Sequence, residues 1–129
     1  VENIGGMIVC EEMCTGNRYS EHLVDENGKT MDEMVENLTC RYLGSINCAC
    51  FTPNTERVED IIRLVKEYNI DGVIDVNLKF CTLYDTEGTI VEKALKEAKI
   101  PVLGIETDYT DSDSEQLKTR IGAFIEMLS

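Results

Sequence analysis

From residue 55 onward the chain alternates amphipathic helical stretches with short β-branched runs, and this limits the fold to strands joined by helical crossovers. Val58, Ile61, Ile62, Val65 and Tyr68 recur at helical spacing and predict a helix that closes at Tyr68-Asn69, before Asp71-Gly72. Val73-Ile74-Asp75-Val76 then reads as a strand, bounded by Gly72 in front and the loop Lys79 to Thr82 behind. Thr89-x-x-Glu92 has the form of a capping box for a helix carrying Ile90, Val91, Ala94, Leu95 and Ala98, which stops before Pro101. Val102-Leu103-Gly104-Ile105 is the next strand. Ser112-x-x-Glu115 opens a last helix, whose Leu117, Ile121, Phe124, Ile125 and Leu128 form one apolar stripe. Crossovers of this length imply parallel strands, so the fold class is α/β, three-layered, with a short parallel sheet and helices on both faces.

The first half is less regular. Met7-Ile8-Val9-Cys10 is an apolar run after Gly5-Gly6 and reads as a buried strand. Residues 14 to 29 are rich in Gly and Asn and predict a loop with at most one helical turn. Thr30-x-x-Glu33 is a capping box for a helix over 31 to 43, with Met31, Met34, Val35, Leu38 and Tyr42 on its apolar face and Gly44 at its end. Ile46 to Phe51 reads as a short strand or extended connection stopped by Thr52-Pro53-Asn54, with Asn54 or Thr55 capping the following helix. At 129 residues the chain is read as one domain, residues 1-129, large enough to bury roughly two-thirds of its unfolded surface.

Charge excludes some partners. Lys and Arg number 12 against 25 Asp and Glu, giving a net charge of −13, which repels nucleic acid and anionic membrane surfaces. No run of about 18 apolar residues occurs, and Val1-Glu2-Asn3-Ile4 has no export signature, so the expected location is cytoplasmic. A start at Val1 fits either a trimmed chain or one domain of a longer polypeptide. In that setting Cys10, Cys14, Cys40, Cys48, Cys50 and Cys81 are expected as thiols, not disulfides, and no C-x-x-C pair marks a self-contained metal knuckle.

In an open parallel sheet, ligands gather beyond the carboxyl ends of the strands, which directs attention to Glu11 to Tyr19, Asn77 to Gly88 and Glu106 to Asp111. None carries a glycine-rich dinucleotide or phosphate-cradling motif, so the fold is Rossmann-like or flavodoxin-like without a dinucleotide site. Cys81 stands after a strand and ahead of a helix, where backbone donors favour a thiolate able to ligate a soft metal; an inert, partly buried thiol is the alternative. Strand alternation points Cys48 and Cys50 to opposite faces, so they are not expected to share a metal. Cys10 and Cys40 are expected in the core and Cys14 in a loop. His22 and Arg18 read as surface residues, and Glu106 and Asp108 as solvated carboxylates that could also meet a ligand. Asn37-Leu38-Thr39 has the form of a glycosylation sequon but falls on an expected helix.

Taken in order, Glu11-Glu12-Met13-Cys14-Thr15-Gly16-Asn17-Arg18-Tyr19, Cys48-Ala49-Cys50-x-Thr52-Pro53-Asn54, Asp71-Gly72-Val73-Ile74, Phe80-Cys81 and Ile105-Glu106-Thr107-Asp108-Tyr109 are informative as a set. The chain resembles the 2-hydroxyacyl-CoA dehydratase D-component family, which also includes benzoyl-CoA reductase subunits. Members of that family are longer, and the resemblance is to their C-terminal domain. It implies a subunit with a 4Fe-4S cluster held by three cysteines, of which the position matching Phe80-Cys81 is the last, so Cys81 is the one metal and cofactor ligand expected in this chain. It further implies an acyl-CoA substrate, a paralogous subunit or a second copy as dimer partner, and an ATP-hydrolysing iron-sulfur activator. The implied reaction is radical elimination of water from a 2-hydroxyacyl-CoA, with the cluster iron polarising the thioester carbonyl. A benzoyl-CoA reductase subunit or double-cubane-cluster reductase is the alternative within the resemblance. A non-catalytic interaction domain, whose loop thiols hold no metal, is the alternative outside it.

Overall fold

The computed structural model describes residues 1–14, 16–44, 47–51 and 53–129. A single turn of 3-10 helix at Glu2–Ile4 is followed by α1 (Asn17–Ser20), α2 (Met31–Thr39) continuing as a π-helical segment Cys40–Gly44, α3 (Thr55–Glu67), β1 (Val73–Leu78), α4 (Thr82–Glu97), β2 (Val102–Thr107) and α5 (Ser114–Leu128). The two strands are parallel and in register from Val73 opposite Val102 to Leu78 opposite Thr107. The class is α/β with a short parallel sheet, as the alternation requires, and the arrangement is consistent with three layers.

Each strand is entered in the same way. α3 ends with Asn69 at φ 52°, and the Ile70 N–H donates to the Val65 carbonyl at 2.9 Å; α4 ends with Lys99 at φ 60°, and the Ile100 N–H donates to the Leu95 carbonyl at 2.9 Å. One left-handed residue thus closes each helix, satisfies an end carbonyl and turns the chain back toward the sheet.

The core lies between α3, α4 and one face of the sheet. Ile61, Val91 and Leu95 form its centre, with Val58, Ile62, Val73, Ile100 and Val102 packed around them. Gly88 lets α4 approach β1 closely, since a Cβ there would stand 2.6 Å from the Asp75 carboxylate. Gly72 does the same for α5, where a Cβ would stand 2.8 Å from both Phe124 and Leu128. Among the described residues no helix is long and apolar enough to cross a membrane.

Several expectations need correction. Met7 to Cys10 forms no strand, and Met7, Ile8 and Val9 are exposed, because neither edge of the two-stranded sheet pairs with them. The Thr30 capping box is present, with the Glu33 N–H donating to the Thr30 hydroxyl and the Glu33 carboxylate accepting from the Thr30 N–H. Thr89 caps nothing: α4 starts two turns earlier, and the Thr89 hydroxyl donates to the Asp85 carbonyl inside the helix. Ser112 does not cap α5, whose N-cap residue is Asp113; the Ser112 hydroxyl is occupied by Thr110 at 2.7 Å. Cys40 is exposed and Cys10 only partly buried, so neither belongs to the core. The expected strand at 46 to 51 is a turn over residues 48 to 51; Ile46, like Thr15, Ser45 and Thr52, lies outside the described residues.

Candidate functional site

The chain leaves β1 through a tight turn in which the Cys81 N–H donates to the Leu78 carbonyl at 3.0 Å. Phe80 sits in that turn at φ 68°, a conformation that side chains with a Cβ rarely adopt, and its ring is 97% exposed. Cys81 is the N-cap residue of α4, and its carbonyl accepts the Asp85 N–H at 2.9 Å. The thiol itself makes no capping bond. It therefore stands beyond the carboxyl end of a parallel strand, partly exposed, at the positive end of a 16-residue helix. Sequence reasoning placed it there correctly.

Cys48 and Cys50 do not lie on a strand. Residues 48 to 51 close a turn in which the Phe51 N–H donates to the Cys48 carbonyl at 3.0 Å, so the alternation of an extended strand does not apply. The Cys50 backbone N–H nearby holds the Cys48 thiol below the ordinary thiol range against the opposing effect of its own burial. The Cys50 thiol, the Tyr84 hydroxyl at 4.0 Å and the positive charge of Arg18 act in the same direction. The Cys50 thiol is pushed up, first by Cys48 and then by its other neighbours, Cys14 and Cys81 among them. Cys14 is exposed, and Arg18 Nη1 points at its sulfur from 3.9 Å.

These loops are held by a buried ion-pair network built around a residue that sequence reasoning missed. Arg57 on α3 is 4% exposed; its Nη2 donates to Glu12 at 3.0 Å, its Nη1 lies 3.5 Å from Glu87 on α4, and its guanidinium covers the Tyr84 ring at 5.7 Å. Glu12 also binds Arg18, so one carboxylate joins two guanidinium groups. Asn54, one of the two residues expected to cap α3, holds its N-cap position, but its side chain makes no capping bond. Its amide donates instead to Glu87 at 2.8 Å and to the Cys48 carbonyl at 3.0 Å. The network therefore connects the segment before α1, the cysteine turn, α3 and α4. The sequence did carry a pointer: Arg57 is four residues before Ile61 and Glu87 four before Val91, so each is a charge on the buried stripe of its helix.

The remaining candidates lie apart from the thiols. His22 is exposed, and only its backbone carbonyl is used, accepting from the buried Arg41. Glu106 is exposed. Asp108 is not simply solvated, because Lys79 joins it at 3.0 Å and Asp113 at 3.2 Å, tying the two loops at the ends of β1 and β2. The Thr110 hydroxyl, then the Lys79 ammonium, hold the Asp108 carboxyl down at about 2. Asn37 lies on α2 and its side chain is engaged by the Asp25 carbonyl at 2.9 Å.

A soft cation or cluster would find one free cysteine sulfur at Cys81. Among the described residues no three Cys, His, Asp or Glu side chains converge with the geometry to hold a metal ion. The donor chemistry fits a single ligand contributed to a site completed from outside these residues.

Comparison with known proteins identifies the family. Residues 1–128 match the family described as 2-hydroxyglutaryl-CoA dehydratase, D-component. YjiM of Escherichia coli (strain K12), provisionally assigned as a dehydratase subunit, is 40% identical over 129 residues, which cover 99% of this chain and 32% of that protein. The (R)-phenyllactyl-CoA dehydratase beta subunit of Clostridium sporogenes is 31% identical over 121 residues, 94% of this chain and 31% of its own length. The (R)-2-hydroxyglutaryl-CoA dehydratase subunit beta of Acidaminococcus fermentans is 36% identical over 78 residues, 60% of this chain and 20% of its own length. The chain thus spans between a fifth and a third of the length of these curated relatives. The chain belongs to the 2-hydroxyglutaryl-CoA dehydratase D-component family.

Proposed function

We propose that these residues form the C-terminal domain of a cytoplasmic 2-hydroxyacyl-CoA dehydratase subunit and supply Cys81 as one thiolate ligand of its 4Fe-4S cluster. The observation that carries this reading is the position of Cys81 at the N-terminus of α4, beyond the end of β1, in a chain of this family. A bound cluster would supply one-electron chemistry and Lewis acidity toward a thioester carbonyl. The chain's own part is positional. Cys81 stands at the start of α4, and the Phe80 turn fixes its direction relative to the sheet. Arg57, Glu12, Glu87 and Asn54 hold the neighbouring loops, so that the space in front of Cys81 keeps its shape while remaining open to a substrate and to other chains.

The acyl-CoA substrate, a paralogous subunit or second copy, and an ATP-hydrolysing iron-sulfur activator belong to the same proposal. Two relatives are dehydratase subunits whose names specify 2-hydroxyacyl thioesters, which supports this substrate class. The test is anaerobic purification of the complete subunit with its paralogue, followed by incubation with the activator, ATP, a low-potential reductant and a 2-hydroxyacyl-CoA. Enoyl-CoA formation that stops when ATP is omitted is the expected result. An iron-free protein without turnover would overturn the reading in favour of an interaction domain.

A further inference from the structure

We propose that the exposed apolar stripe of α2 is a docking site for a Lys- or Arg-flanked amphipathic helix of a partner protein. The stripe consists of Met31, Met34, Val35 and Leu38 on α2 and Tyr42 on its π-helical continuation, which recur at helical spacing on one side. The Tyr19 ring, 5.9 Å from that of Tyr42, extends it at one end. All six side chains are exposed, Met31 by 73%, and no described residue covers them.

Helices shorter than about 12–15 residues are marginal in water and ordinarily owe their stability to packing of the apolar face. α2 has nine residues and its continuation five, and polar groups hold them instead. The Thr30 and Glu33 box closes the N-terminus. Along one edge, Asn37 donates to the Asp25 carbonyl at 2.9 Å, and the buried Arg41, one turn later, donates to the Tyr19 carbonyl at 2.7 Å and to the His22 carbonyl. The helix is thus fixed by its start and one edge while its apolar side faces outward. Such a pre-formed stripe, with two adaptable methionines in it, is the kind of surface that receives a second helix.

Charge selects the occupant. Between Tyr19 and Cys40 the sequence carries Glu21, Asp25, Glu26, Asp32, Glu33 and Glu36 against Lys29 alone. Glu33 is spent on the cap and Glu21 on Arg63, which leaves Asp32 and Glu36 exposed, one turn apart, along the free edge and Asp25 with Glu26 in the loop joined to the other. A second copy of the stripe would bring these carboxylates against their like, in a chain whose net charge is −13. Six side chains also fall short of the roughly 20–30 residues a side of a standard interface between whole proteins. A single helix with apolar residues three and four apart and Lys or Arg beside them satisfies both conditions. The inference is independent of the dehydratase reading, because it needs neither a cluster nor an acyl thioester.

The test uses the complete polypeptide and, as probe, a fluorescein-labelled amphipathic Leu/Lys peptide of about five helical turns, followed by fluorescence anisotropy. Saturable binding that weakens as salt rises is the expected result. Met34→Ser combined with Leu38→Ser should weaken it at least about tenfold, and Asp32→Asn combined with Glu36→Gln at least about threefold at low salt, with a shallower salt dependence. Met127→Ser, at an exposed apolar position on α5, should leave the affinity unchanged. Circular dichroism checks folding, and the carboxylate variant keeps the test valid if the serine variant fails to fold. Equal affinity in the serine variant would overturn the proposal. So would a parent that binds no peptide, its stripe being covered by the rest of the polypeptide, or one that sediments as a dimer and dissociates in the serine variant, its occupant being a second copy.

Discussion

Replacing Arg57 by Met removes the cation at the centre of the network without removing much volume. In the parent protein Arg57 is 4% exposed and lies 3.0 Å from Glu12 and 3.5 Å from Glu87. Deleting one partner of a buried pair costs about 3–5 kcal/mol, because the other charge stays buried without compensation. Here Glu87 keeps its bond from Asn54, and Glu12 keeps Arg18 and is partly exposed, which places the loss near the lower end, at about 3 kcal/mol. For a cooperative unit of 129 residues the unfolding entropy is about 0.27 kcal/mol/K, so the expected fall in Tm is about 11 °C. Thermal unfolding followed by circular dichroism at pH 7 measures it. Arg57→Met combined with Glu87→Met should recover a large part of the loss, since the uncompensated carboxylate is then gone. A drop below about 4 °C in the single variant, or a double variant as unstable as the two single losses added together, would refute the reasoning.

Three further changes test other parts of the structure. Lys99→Gly relieves a left-handed residue at an exposed helix end and should stabilise the protein by about 0.5–1 kcal/mol in denaturant unfolding; a destabilised variant would mean that the Lys99 side chain matters there. Burial, and then the nearby Glu92, raise the Asp75 carboxyl above its ordinary value against the opposing pull of Arg57. The folded form therefore holds that proton more tightly than the unfolded form, and stability falls as pH rises through the window between the two values. Asp75→Asn should accordingly have the higher Tm at pH 7, with the gap closing as the pH falls below the ordinary Asp range; equal Tm values at pH 7 would contradict this. Asp108 has the opposite sign: its contribution is present above the ordinary Asp value and lost as pH falls toward about 2. A carboxyl titration by NMR should place its midpoint near about 2 and show it rising in Thr110→Val, and an unmoved midpoint would remove Thr110 as the main cause.

The elements that could be read from the sequence were those specified by local chemistry. The apolar stripes of α3 and α5, the Thr30 box, the stop before Pro101 and both parallel strands need only near neighbours in the chain to define them. The place of Cys81 beyond the end of β1 was legible for the same reason, although its position as the N-cap of α4 was not. What failed depended on partners distant in sequence. Met7 to Cys10 has strand composition but no strand edge to join. The first two turns of α4 were hidden because their buried positions are Glu87 and the close-packed Gly88, so the apolar pattern begins only at Ile90. Arg57 and Glu87 were missed because each looks like a solvated charge until the other is placed beside it. The turn at residues 48 to 51 was missed because no periodicity announces its hydrogen bond.

The central claim is that Cys81 supplies a ligand to the family's cluster, and the most direct measurement is iron and acid-labile sulfide per chain. The complete subunit should be prepared anaerobically as parent, as Cys81→Ala and as Cys10→Ala, the last removing a partly buried thiol outside the site. The account predicts loss of the cluster in Cys81→Ala alone. Parent-level iron and sulfide in Cys81→Ala would contradict it.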